Sequence, residues 1–209
     1  MWQVFSYYTV LSIEALIGIF GIRVYEEPHY QVIGRADGIE IREYPPRVAA
    51  EVAWRQTDGA GREQAFRLLF DYIAGASRPL ARGDTRIAMT APVEVRSNDP
   101  APMSDPGQSS ETGVTATMRF FLPAKYSAND APSPMDERVR LVIVPEGTIA
   151  VLRFSGSGSD FGERQSELIT RLAASQWRPN SAPYALYYDP PFTLPFLRRN
   201  EAAVDVIKR

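Results

Sequence analysis

The chain has no cysteine and a single histidine, His29, among its 209 residues. The first absence excludes disulfides, thiolate metal sites, a cysteine nucleophile and thiolate-ligated iron. The second excludes multi-histidine metal centres and leaves little room for a Ser-His-Asp arrangement. An excess of positive charge is also missing: 23 basic residues stand against 25 acidic ones, a formal net charge of −2. With no net positive field to collect phosphates, nucleic acid is not an expected partner.

What is present reads as an ordinary globular composition, 44% hydrophobic and 23% charged, on a chain long enough to bury a sizeable core. One stretch differs. Val4 to Ile22, "VFSYYTVLSIEALIGIFGI", carries a single charge, Glu14, among scattered Ser6, Thr9 and Ser12. A membrane span needs roughly 20 apolar residues, and a mid-span carboxylate is costly unless paired or protonated. A cleaved signal would want a basic start and a small-residue cleavage site, neither of which is visible. The favoured reading of residues 1–23 is an apolar helical segment, packed on the domain or lying at a membrane surface, ahead of a true span or a cleaved signal. That places the protein in the cytoplasm, with membrane contact through residues 4–22.

From residue 24 the pattern becomes strand-like. Ile39 and Ile41 alternate with Glu40 and Arg42. After Pro45-Pro46, Val48, Ala50, Val52 and Trp54 share one parity. "GAGREQAFRLLFDYIAG" turns helical, with Phe66, Leu69, Tyr72 and Ile73 at helical spacing and Gly75 as a stop. "RIAMTAPVEV" (Arg86 to Val95) follows as a strand with Ile87, Met89, Val93 and Val95 on one side. Residues 97–115 are rich in Pro, Ser, Asp and Gly and read as a mobile surface loop. Further strands come at "ATMRFFLP", on both sides of Pro145-Glu146-Gly147-Thr148, at Ala185–Tyr188 and at Ala203–Ile207. Asp160 with Glu163 suggests a capping box for a second helix.

Laid against itself, the chain repeats at an offset near 100 residues. Val48/Ala50/Val52/Trp54 fall on Thr148/Ala150/Leu152/Phe154, "GREQ" (Gly61–Gln64) on "GERQ" (Gly162–Gln165), and Pro92 on Pro191. Each half reads strand–strand–helix–strand–strand, and neither closes a sheet alone. The expected fold is therefore α+β: one pseudo-twofold domain over residues 24–209, an antiparallel sheet or barrel with two flanking helices, built as an internal duplication.

Six strings, "YEEPHYQVI", "IEIREYPP", "IAMTAPVEV", "FFLPAKY", "AVLRFSG" and "YYDPPFTLPFLRRNE", occur in this order and at this spacing. Together they resemble the SOUL haem-binding protein family, over roughly Tyr25 to Ile207. The resemblance implies a distorted antiparallel barrel of about eight strands with two helices. It also implies non-covalent, non-catalytic binding of haem or a related tetrapyrrole on an apolar patch beside the first helix, for buffering or delivery. Carried over to this chain, that helix offers Phe66, Leu69, Phe70 and Tyr72 to a porphyrin, and Arg62 and Arg67 to its propionates, planar carboxylates suited to guanidinium. Where some family members place a proposed axial histidine, just before Tyr-x-Pro, this chain has Glu43, which is not an effective haem ligand. His29 is the one imidazole that could reach iron, but it reads first as a surface residue in a Pro-containing turn. No metal site is otherwise expected.

Other residues have plainer readings. Met89, on the inward parity of its strand, is core filler before it is a thioether ligand. Arg198, Arg199, Asn200 and Glu201 read as an ion-pair cluster fixing the C-terminal crossover, rather than an anion grip. Glu26 and Glu27 diverge in an extended segment and read as solvated. The alternative function is hydrolase-like catalysis on, or binding of, a small apolar ligand in the cleft between the halves, with Tyr25, Glu43, Tyr44, Tyr187 and Tyr188 as candidates.

Overall fold

The computed structural model describes residues 25–55, 60–75, 86–97 and 115–209. The expectations for residues 1–23, and for the loop at 98–114, lie outside these. Ser97 and Thr115 themselves are strand ends. The described elements run in the order β1 (Gln31–Ala36), β2 (Ile39–Tyr44), β3 (Arg47–Arg55), α1 (Ala60–Ala74), β4 (Val93–Ser97), β5 (Thr115–Phe121), β6 (Arg140–Val144) and β7 (Gly147–Phe154), followed by α2 (Phe161–Ala173), β8 (Trp177–Pro179), β9 (Tyr184–Tyr187), a 3₁₀ turn (Pro195–Leu197) and β10 (Asn200–Lys208).

Nine strands join edge to edge in the order β1-β2-β7-β10-β9-β4-β5-β3-β6, and short β8 pairs with β10. All the ladders are antiparallel. The sheet curls into a half-barrel flanked by two helices, the α+β architecture expected, with nine strands along its path where about eight were expected.

The order is mirrored about the central β9–β4 pair. Outward on one side run β10, β7 and β2; on the other run β5, β3 and β6. The corners at Pro45-Pro46 and Pro145-Glu146 carry the chain from one half to the other. β2 therefore pairs with β7, and β6 with β3, across the two halves, while β2 also keeps β1 on its other side. Each half is completed by a strand from the other.

Alternation along the strands separates two faces. On the helix face, Val48, Ala50, Val52 and Trp54 pack with α1, and Ala150, Leu152 and Phe154 pack with α2. Gly61 lets α1 start close to β3: a Cβ there would sit 2.4 Å from the Trp54 ring. In the second half Phe161, at the start of α2, packs edge-on against Phe154, with ring centroids 4.9 Å apart. Asp160 stands at the N-cap of α2 but makes no side-chain cap hydrogen bond, so the expected capping box does not form. Its Oδ1 instead accepts from the Ser159 hydroxyl.

The stretch from Arg86 is a strand only from Val93 onward. Ile87 and Met89 still pack against the core under α1, the filler role expected for Met89. Pro92 precedes β4 and Pro191 follows β9. Because Val93 lies opposite Tyr187 in this antiparallel pair, the two prolines flank the same end of it. Twofold-related positions would sit at opposite ends, so these prolines are not equivalents.

Candidate functional site

α1 has two unlike sides. Ala65, Leu69, Tyr72 and Ile73 are buried against Val52, Met118 and Phe120. Phe66 and Phe70, one turn apart, remain 39% and 49% exposed. Their rings stack with centroids 6.3 Å apart, and Phe66 also meets Phe120 of β5 edge-on at 5.4 Å. Arg62 lies over the Tyr187 ring at 4.7 Å, a cation–π contact that carries it toward the line between the two helices. Arg67 pairs with Glu63 at 3.1 Å on the exposed surface, where such a pair contributes little.

Of the six residues assigned to a tetrapyrrole, Arg62, Phe66, Arg67 and Phe70 stay on the exposed side of α1. Leu69 and Tyr72 do not. Both are almost completely buried, and the Tyr72 hydroxyl donates to the Pro132 carbonyl at 2.7 Å. Their spacing was helical but on the sheet-facing stripe, so they support the patch without presenting themselves to a ligand. Burial pushes the Tyr72 phenol up to about 12.

His29 is exposed. It belongs to the segment 25–30, whose Tyr25 and Tyr30 pack on the other face of the sheet, with Tyr44, Tyr184 and Tyr188. It is not grouped with the α1 patch. Glu43 is exposed on β2. Among the described residues, no group of three His, Asp or Glu could hold a metal ion.

The helix-free face is charged and closed by its own pairs. Glu201, fully buried, receives Arg42 through two hydrogen bonds at 2.7 and 3.0 Å, the Tyr188 hydroxyl at 2.8 Å and Arg199 at 2.8 and 3.0 Å. Arg199 also reaches Glu27 at 3.1 Å, so Glu27 is not simply solvated as expected. Glu26 accepts from the Ala124 amide at 2.7 Å. A second cluster joins Glu94 to Arg96 and Arg119, Arg119 to Glu51, and Arg96 to Asp205, which also accepts from the Tyr184 hydroxyl. Burial works to raise Glu201 and Asp205, but hydrogen bonds and charge from Arg42, Arg199 and Arg96 outweigh it and hold both below their ordinary values. Burial raises Tyr44 to about 12 and lifts Tyr184 and Tyr188 as well. The cluster expected at Arg198–Glu201 is thus structural and extends across the sheet to β2.

The cleft envisaged for a small apolar ligand is not apolar on this face. A hollow of about 250 Å³ is lined by Tyr30, Gly38, Glu40, Arg42, Val151, Arg153 and Arg199. The acid–base candidates are also divided: Tyr44 and Tyr188 are buried here, while Tyr187 faces the helices and packs against Phe161 at 4.7 Å.

With this geometry in place, the comparisons with known proteins resolve the class. The family model described as SOUL heme-binding protein matches residues 25–205, and the chain belongs to that haem-binding family. No curated protein matches the chain. Among solved structures, the C-terminal domain of EcmrR is similar at 11% identity and a TM-score of 0.60, over 86% of this chain and 99% of that one. A hydrolase from Listeria innocua is similar at 14% identity and a TM-score of 0.56, over 84% of this chain and 94% of that one. These likenesses show the shared fold. No helix of the described residues is long and apolar enough to cross a membrane.

Proposed function

We propose that residues 24–209 form a single domain that docks haem or a related tetrapyrrole on the exposed side of α1, for buffering or delivery without catalysis. The observation that carries this is the stacked, half-exposed Phe66–Phe70 pair, two aromatic rings held in the open on an otherwise well-packed helix. A planar macrocycle removes such rings from water, at about 25 cal/mol per Å² of apolar surface covered. Arg62 and Arg67 flank the pair and suit propionates. Both already have partners, Tyr187 and Glu63, in contacts weak enough to yield.

The residues fit a tetrapyrrole held by apolar contact and propionate pairing; among the described residues the one histidine, His29, is not grouped with the pair. Haem, when bound, brings the redox chemistry of its iron; the chain contributes the surface and the charges. The mirrored strand order supports an origin by internal duplication. Titrating purified protein with hemin and following the Soret band tests the proposal: saturable one-to-one binding is expected, and its absence would sink it.

A further inference from the structure

The loop between β9 and β10 carries the most exposed cluster of large apolar side chains in the described chain: Phe192, Leu194 and Phe196 at 53%, 38% and 70%. They alternate with Thr193, which is completely buried, and Pro195. This is a built loop. Arg198 lies under it, donating to the carbonyls of Thr193, at 2.7 Å, and Pro191. The amides of Thr193, Leu197 and Arg198 donate to the carbonyls of Pro190, Leu194 and Pro195. Five loop carbonyls are thus satisfied from within, and Pro190, Pro191 and Pro195 have no N–H to satisfy. With these carbonyls already satisfied, the loop can move its apolar side chains from water into an interfacial layer at reduced cost.

The foot of the loop has a second property. Arg199, just after it, holds Glu27 at 3.1 Å, and the Ala91 amide holds the Glu26 carbonyl at 3.0 Å. Glu26 and Glu27, near the start of the described chain, are therefore held beside the foot of this loop. In the sequence, residues 4–22 carry one charge in nineteen. The exposed apolar loop thus stands beside Glu26 and Glu27, a few positions after an apolar run in the sequence. Exposed aromatic and aliphatic side chains on a loop can enter an interfacial lipid layer without needing a complementary pocket.

We propose that the Phe192–Phe196 loop is a membrane-docking element that inserts its exposed apolar side chains into a lipid bilayer surface. The proposal is independent of tetrapyrrole binding and is tested on ligand-free, full-length protein. Because the chain has no cysteine, Phe196→Cys accepts a single environment-sensitive fluorophore. Adding phosphatidylcholine vesicles is expected to shift its emission to the blue. In co-sedimentation, Phe192→Asp combined with Phe196→Asp is expected to lower vesicle partitioning at least about tenfold, with an unchanged thermal transition because the loop lies outside the core. Three results would overturn the proposal: a label blind to vesicles; a label already in apolar surroundings without lipid, which would mean that residues 4–22 or another protein surface covers the loop; or unchanged sedimentation of the double variant, which would leave the N-terminal segment as the sole anchor. A double variant that loses its thermal transition is read through the label alone.

Discussion

α1 and α2 hold mirrored places, each following the second strand out from the central pair and each covering one half of the same sheet face. Their outer surfaces differ. α2 shows solvent Gly162, Glu163, Ser166, Thr170 and Ala173. It is stitched by Glu167, which pairs with Arg164 and Arg171, and Arg171 also donates to the Asp37 carbonyl. α1 shows Phe66 and Phe70 half in the open and, among the described residues, one weak surface ion pair. Packing alone requires one apolar stripe per helix. α2 has only that stripe; α1 has more, and the proposed site rests on that surplus.

The comparison predicts equality inside and inequality outside. Leu69→Ala and Leu168→Ala each remove a completely buried side chain at a helix–sheet contact. Each is expected to cost about 2–5 kcal/mol in urea denaturation. A large cost at one helix with none at the other would show that the halves are not equivalent supports.

Glu201→Gln is expected to cost up to about 3–5 kcal/mol, because it removes the fully buried carboxylate that Arg42 and Arg199 share and leaves Arg42 only the partly exposed Glu40 as a charge partner. The native pairing also sets a pH dependence. Glu201 and Asp205 are held lower in the folded chain than their ordinary 4.5 and 3.8, so their stabilisation is present above those values and is lost progressively as pH falls below them through the lowered folded values. Denaturant midpoints measured from pH 7 to pH 3 should decline below about pH 4.5, and the Glu201→Gln variant should decline less.

Smaller effects are expected at the polar groups. Arg62→Glu should weaken hemin binding a few-fold, most strongly at low salt, if the guanidinium pairs a propionate. His29→Ala, remote from α1, should leave the Soret spectrum and affinity unchanged. A large spectral change in the His29 variant would revive an imidazole ligand.

The strand faces were legible in the sequence because alternation reports burial directly: Val48 to Trp54 and their counterparts from Ala150 to Phe154 face the helices as their parity requires. Two things were not legible. Helical spacing at Phe66, Leu69, Phe70 and Tyr72 could not say which residues face the sheet, since α1 carries large apolar residues on more than one side. The buried network was also hidden. Arg42 and Glu201 are 159 positions apart, and only the exchange that pairs β2 with β7, next to β10, brings them together. The run Arg198–Glu201 was the one visible signal of it. Pairing Pro92 with Pro191 failed because an offset that aligns β3 with β7 does not hold across loops of different length.

The most direct test sets the two helices against each other. Hemin titrations would compare the unaltered chain with Phe66→Asp/Phe70→Asp on α1 and Ser166→Asp/Thr170→Asp on α2. The site assigned to α1 requires affinity to fall at least about tenfold in the first variant and to stay unchanged in the second. Equal binding by all three proteins, or loss in the α2 variant alone, would contradict it.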